Sequence, residues 1–306
     1  MSPNRKISVA LISSAVLLGI LGWLLPLPSN LKLNREIFWV TKTFTPKKYN
    51  VIIAGDSRAY RGVSPEDVTV VLEPNLTALN LGYSSGGFDR AYRSFILSKL
   101  EMRGNHKAIV LGITPHSLTP DALENGHFHE ILATSKFDQL KTIYLSPISR
   151  FFEPRQFTSI KKIFKRSTKS HFERFHSNGW AESDNLKTDS LAAISNYSKV
   201  FDNNIIDSSA INDFMNWIDS LSQENIKVVG FRPPSTMQMR SLEDSLSGYN
   251  ETSIKSLFEA HGGHWLIIKD ADYETYDGSH LRPADARRLS KKIGFTLKAI
   301  TEEALP

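Results

Sequence analysis

The chain has 306 residues, a formal net charge of +5 and no cysteine. Its length supplies ample core for a folded body, and 41% hydrophobic with 23% charged residues excludes wholesale disorder. The absence of cysteine excludes disulfides, thiolate nucleophiles, thiolate metal sites and a lipid-modified cysteine, and the small basic excess, with no nucleic-acid-binding motif beside it, fits an anionic glycan or membrane surface rather than nucleic acid.

Arg5 and Lys6 precede nineteen uncharged residues, 7–25. As a helix this run spans ~28 Å, about the hydrocarbon thickness of a bilayer. Only Ser8, Ser13 and Ser14 interrupt it, so it lacks the polar face of a core helix; Trp23 falls near its end, and Pro26 and Pro28 stop it. Without an Ala-x-Ala cleavage pattern it reads as a retained single-pass anchor in the inner, or cytoplasmic, membrane. Arg5 and Lys6 favour a cytoplasmic N-terminus, which puts the remainder on the periplasmic or extracellular side, although Lys32, Arg35, Lys42, Lys47 and Lys48 weaken the charge asymmetry. The division that follows is an anchor (1–28), a polar and aromatic connector (29–48) and one large domain (49–306).

From residue 49 strands and helices alternate. Residues 51–54 are continuously apolar and end in Gly55, which suits a buried parallel strand. Ser64-Pro65-Glu66-Asp67 carries the signals of a helix start. Further strands are expected at 76–81, 108–113, 226–231 and 264–268, and helices at 88–102, 210–221, 254–260 and 283–300. This order predicts an α/β fold with a doubly wound, mainly parallel sheet and helices on both faces, whose chemistry belongs at the carboxyl ends of the strands. Between about 121 and 204 the alternation breaks into a partly helical insertion. Its basic run, Lys161, Lys162, Lys165, Arg166 and Lys169 interleaved with Ile160, Ile163 and Phe164, reads as a solvated amphipathic helix, with a surface for anionic lipid or polymer as the sharper alternative.

Three stretches carry chemistry. Gly55-Asp56-Ser57-Arg58 places a serine at the carboxyl end of the first strand, where backbone amides near a helix start can face an oxyanion; a capping serine is the plainer reading. Asp277-Gly278-Ser279-His280 offers a base and its orienting carboxylate from one loop, or an ordinary turn. Asn80-Leu81-Gly82 ends the second strand with an unobstructed glycine amide.

Together these blocks resemble the SGNH (GDSL-like) hydrolase superfamily, over about residues 49–118 and 224–300. The resemblance implies a flavodoxin-like fold with Ser57 as nucleophile, His280 as general base, Asp277 as its orienter, and the amides of Ser57 and Gly82 in the oxyanion hole. The family's third block usually carries Gly-x-Asn-Asp. Here the strand ends Leu111-Gly112-Ile113-Thr114-Pro115-His116-Ser117, so Thr114, or His116 or Ser117, would replace the asparagine; losing one such donor costs ~3 kcal/mol of transition-state stabilisation. That departure, and Phe231-Arg232-Pro233-Pro234, resemble the membrane-anchored branch typified by alginate O-acetylation and teichoic-acid D-alanylation proteins. That branch implies a serine esterase or O-acyltransferase acting on a cell-surface glycan or other acylated polymer, beside a membrane acyltransferase. Arg58 and Arg232 are expected either to contact an anionic substrate or to serve as structural ion-pair partners. A non-catalytic envelope scaffold with this fold is the rival reading.

Gly82-Tyr83-Ser84-Ser85-Gly86 also fits the nucleophile elbow of an α/β-hydrolase, which would make Ser84 the nucleophile; too few strands precede it, and Ser57 is preferred. His116, His127, His129, His171 and His176 show no metal-ligand spacing beyond a His127-x-His129 pair that could serve on a strand. No phosphate-cradling glycine loop is present, so neither metal nor cofactor is expected.

Overall fold

The computed structural model describes residues 2–24, 30–73, 75–104, 106–150, 171–185 and 190–302. Helices α1 (Pro3–Leu24) and α2 (Leu31–Phe44) precede β1 (Val51–Gly55), whose five residues are all buried. Asp56 caps the short α3 (Ser57–Gly62). Ser64 caps α4 (Pro65–Thr69), its hydroxyl accepting the Asp67 N–H with Pro65 in the first turn, as those residue types favour. Then follow β2 (Ala78–Asn80), α5 (Arg90–Lys99), β3 (Ala108–Gly112), α6 (Pro120–Glu124), α7 (Gly126–Leu132) and α8 (Lys136–Leu140). A π-helical turn (Lys141–Leu145) continues into α9 (Ser146–Ser149). An antiparallel hairpin, β4 (His171–Phe175) and β5 (Ala181–Asn185), leads to α10 (Ser190–Val200), α11 (Ser208–Gln223) and β6 (Lys227–Phe231). The chain closes with α12 (Met237–Ser247), α13 (Glu251–Ala260), β7 (His264–Trp265) and α14 (Pro283–Glu302).

Contacts divide the chain into two compact units, Met1–Thr41 with Thr134–Lys169, and Lys42–Ala133 with Ser170–Pro306. The second holds a five-stranded sheet in the order β2-β1-β3-β6-β7, every pairing parallel. The chain is therefore α/β with helices flanking a parallel sheet. Because β1 has β2 on one side and β3 on the other, the order reverses there, and such a switch point opens a crevice at the carboxyl ends.

Alternation along each strand splits the core in two. Val51 and Ile53, Ala108 and Val110, and Val229 and Phe231 pack with Leu289, Ile293 and Leu297 of α14. The opposite face receives Ile52, Ile109 and Val228, and beyond it Phe88, Tyr92, Phe128 and Phe214 form an aromatic cluster with ring separations of 5.0–6.2 Å.

Several elements depart from expectation. β7 is two residues long, because after Leu266 donates to the Gly230 carbonyl the chain leaves this sheet edge. The predicted helix 88–102 shortens to 90–99, since Asp89 accepts the Ala91 and Tyr92 amides as a cap and Leu100 turns extended to bridge Tyr49. The stretch between β3 and β6 holds a β-hairpin as well as helices, and its basic run, 161–169, lies outside the described residues. So do the side chains of residues 21–29, hence the end of the expected anchor. Among the described residues no helix is long and apolar enough to cross a membrane.

Candidate active site

The site grows from the point where β1 and β3 end side by side. Gly55 pairs with Gly112, and its φ of +140° belongs to glycine; a Cβ there would sit 2.6 Å from the Gly112 carbonyl oxygen. Asp56 leaves the strand extended and receives the Arg58 N–H on Oδ1 at 2.9 Å and the Thr114 hydroxyl on Oδ2 at 2.7 Å. These bonds fix the first turn of α3, of which Ser57 is the first residue. Among the described residues its amide has no hydrogen-bond partner, as helix geometry leaves it.

The loop before α14 supplies the rest. Ser57 Oγ lies 2.8 Å from His280 Nε2, and His280 Nδ1 lies 2.7 Å from Asp277 Oδ2. The other Asp277 oxygen accepts the Ser279 and His280 amides at 3.0 and 2.8 Å, locking carboxylate and imidazole into one turn. A carboxylate can only accept from the ring, so Nδ1 carries the proton and Nε2 faces the serine as an acceptor. The structure thus brings together Ser57, Asp277 and His280, drawn from opposite ends of the chain.

Burial opposes charge on the Asp277 carboxyl, but the His280 hydrogen bonds outweigh it and hold that carboxyl well below the usual range. Burial, reinforced by Arg61 and Arg58, pushes His280 below its ordinary value against the pull of Asp277. The ring is therefore neutral at pH 7 and able to take a proton. It becomes cationic only as pH falls through the lowered value, so serine reactivity is expected to fall with acidification along a limb below ~6.5, the ordinary histidine value. The pH profile of acylation checks this; a limb at or above 6.5 contradicts it.

Several supporting residues escaped the sequence reading. Tyr276 stacks on the His280 ring at 5.8 Å and 15°. Its hydroxyl receives Arg61 Nη1 at 3.1 Å and pairs with Ser183 Oγ of β5 at 3.1 Å. Arg61 also reaches Glu173 of β4 at 3.1 Å, and its carbonyl accepts the Trp180 indole N–H. The hairpin therefore braces the imidazole through Tyr276.

Other expectations are corrected. The Gly82 amide does not stand open, because it donates to Asn80 Oδ1 at 2.9 Å while Asn80 Nδ2 is fixed on the Ala59 and Val63 carbonyls. The Gly82 carbonyl accepts Lys42 Nζ at 2.6 Å. Burial holds that ammonium well below its usual range, and it lies 4.9 Å from the Tyr83 ring centroid. Thr114 has no donor to spare either: its hydroxyl serves Asp56, and its amide donates to Ser117 Oγ. Of the three proposed oxyanion donors, the Ser57 amide alone is uncommitted. Arg58 and Arg232 are buried and share Glu243, Arg58 through both carboxylate oxygens at 2.5 and 3.2 Å and Arg232 at 3.2 Å, with Asp244 also 2.8 Å from Arg232. In this structure both are buried ion-pair partners, the second of the two roles expected of them. Ser84 Oγ lies 3.3 Å from the Tyr60 hydroxyl, and its amide donates to His127 Nδ1 at 3.2 Å. β2 is also the edge of the sheet, where an elbow nucleophile has no flanking strand ends to work with. His127 and His129 lie on α7, two residues apart, and project to different sides of the helix.

No protein-family profile matches the chain, and no curated protein matches it. Among solved structures it is similar to a protein from Streptococcus pneumonia described, provisionally, as a platelet activating factor. The identity is 13%, with 95% of this chain and 99% of that one covered, at a TM-score of 0.38.

Proposed function

We propose that this protein is a serine-dependent ester hydrolase or O-acyltransferase of SGNH type, anchored in the cytoplasmic membrane through residues 7–25. Ser57 attacks an ester carbonyl, His280 takes the hydroxyl proton, and Asp277 holds the imidazole in the accepting tautomer. The alcohol then leaves with the proton from His280, and the acyl group on Ser57 passes to a sugar hydroxyl or to water. The observation that carries this reading is the continuous relay of 2.8 and 2.7 Å from Ser57 Oγ through the imidazole to Asp277, the geometry that nucleophilic catalysis by serine requires. Exposure of Ile7, Leu11, Ile12, Val16 and Ile20 along α1 supports the anchor, as does the extension of the apolar run to residue 25. An outward-facing domain has surface polymers within reach, and an acylated glycan of the envelope is the substrate class that fits, with a membrane acyltransferase as partner.

Incubating the full chain with a fluorophosphonate and mapping the adduct tests the relay. A single adduct on Ser57 is expected. A folded protein left unmodified, or modified at Ser84, would refute it. The engaged Gly82 amide and Thr114 favour a second reading, a scaffold that keeps the fold without turnover, for which an unlabelled Ser57 is the signature.

A further inference from the structure

The unit formed by Met1–Thr41 and Thr134–Lys169 has a second apolar surface besides α1. Along α8, the π-helical turn and α9, Phe137, Leu140, Tyr144 and Ile148 are 69%, 56%, 59% and 57% exposed. Their spacings of three, four and four residues put them on one stripe of the helix. Pro147 explains the wide turn before it, since proline has no N–H and its ring would crowd the carbonyl of residue 143 in a regular helix. The extra residue brings exposed Leu145 alongside the stripe. Lys136 and Lys141 are exposed within the same segment, with stems long enough to lie along apolar surface while their ammonium groups reach outward.

The end of this segment faces the start of α2. Ser146, Ser149 and Arg150 line a cavity of about 290 Å³ with Asn30, Lys32 and Glu36, at the start of α2. α2 begins at Leu31, seven residues after α1 ends at Leu24, so at ~3.6 Å per residue the stripe is tethered within about 25 Å of the end of α1 plus the width of that cavity. A protein partner selects one face of a helix, whereas α1 exposes apolar side chains all round. The occupant that suits both an all-round apolar helix and a stripe flanked by lysines is lipid.

We propose that residues 136–150 lie along the surface of a bilayer, with Phe137, Leu140, Tyr144 and Ile148 sunk among the headgroups and upper acyl chains and Lys136 and Lys141 paired with anionic headgroups. The inference rests on the anchor of the preceding section and not on the Ser57 relay.

The chain has no cysteine, so single labels can be placed without background. Leu140→Cys, Tyr144→Cys and Ile148→Cys, each carrying a nitroxide, would be compared with Leu11→Cys and with Lys298→Cys, at an exposed position of α14, in full-length protein reconstituted into vesicles of phosphatidylcholine and phosphatidylglycerol. Collisions with oxygen report lipid, and collisions with a water-soluble nickel chelate report solvent. The expected result is an oxygen-to-nickel ratio several-fold higher at 140, 144 and 148 than at 298. Ratios equal to that at 298 overturn the proposal, and so does exclusion of both reagents, which would show a second copy or another protein covering the stripe. A lipid-exposed Leu11 label beside aqueous stripe labels sinks the stripe alone, while an aqueous Leu11 label sinks the anchor.

Discussion

Ser57→Ala is expected to abolish fluorophosphonate labelling and to lower the turnover of an activated ester such as p-nitrophenyl acetate by up to ~10⁶-fold, the scale on which loss of a serine nucleophile is felt when base and serine act as a unit. Asp277→Asn reaches a similar end by another route. The asparagine amide would donate to His280 Nδ1, forcing the ring proton onto Nε2, where it faces Ser57 and cannot accept. A loss on the order of 10⁴-fold is expected with the fold intact. The starting activity itself is predicted to be modest. With Gly82 and Thr114 committed elsewhere, the oxyanion relies on the Ser57 amide, and a missing donor costs ~3 kcal/mol. Ser57 should therefore be phosphonylated readily by a fluorophosphonate, with loss of fluoride, while ordinary acetyl esters are hydrolysed slowly. Burst kinetics and steady-state rates measure the two separately, and undiminished turnover in Ser57→Ala would remove the serine from the chemistry altogether.

Glu243→Gln is expected to be the most damaging change away from the reacting atoms. Glu243 is fully buried between the guanidinium groups of Arg58 and Arg232, and Arg58 also lies 4.9 Å from the Tyr197 ring. The glutamine keeps the volume and removes the charge. Arg58 would then be stranded in the interior, since the pair at Glu243 is its ion-pair contact, whereas Arg232 retains Asp244. Breaking one side of a buried ion pair costs about 3–5 kcal/mol, a large share of the 5–15 kcal/mol typical of a domain. A lower urea midpoint at unchanged slope, the shift multiplied by that slope giving a loss of this size, is the outcome to look for. Replacing Arg58 by Met together with Glu243→Gln should recover part of the loss, because no unpaired charge then remains on the α3 side. Arg58 follows Ser57 directly, so the single variant should also loosen the first turn of α3 and reduce labelling.

These two regions also mark how far the residues alone could be read. Residues 51–55 announced a buried strand by composition and a turn by glycine, and Asp277 and His280 announced a loop pair by spacing, because each signal is local. Charge pairing between Arg58 and Glu243 spans 185 positions, and nothing near either residue distinguishes a buried ion pair from a substrate contact. Gly82 shows the same limit at short range: its suitability as an oxyanion donor was visible, but the capture of its N–H by Asn80 depends on how the Asn80 side chain is held by the Ala59 and Val63 carbonyls across the α3 turn. The hairpin 171–185 was hidden because it shows little apolar alternation: β4 mixes exposed and partly buried positions, and the buried positions of β5 are the small Ala181 and Ser183. Its packing becomes meaningful only beside Tyr276.

The imidazole is buttressed by the Tyr276 ring, whose hydroxyl is anchored 93 positions upstream in β5. The excursion between β3 and β6 is thus no detachable ornament. A minimal variant that spliced the two strands together would retain all three relay residues yet lose Ser183 and Glu173, leaving the aromatic plate behind His280 free to tilt. Any attempt to shrink the protein, or to transplant its C-terminal loop to another scaffold, would need to carry this distant hairpin along.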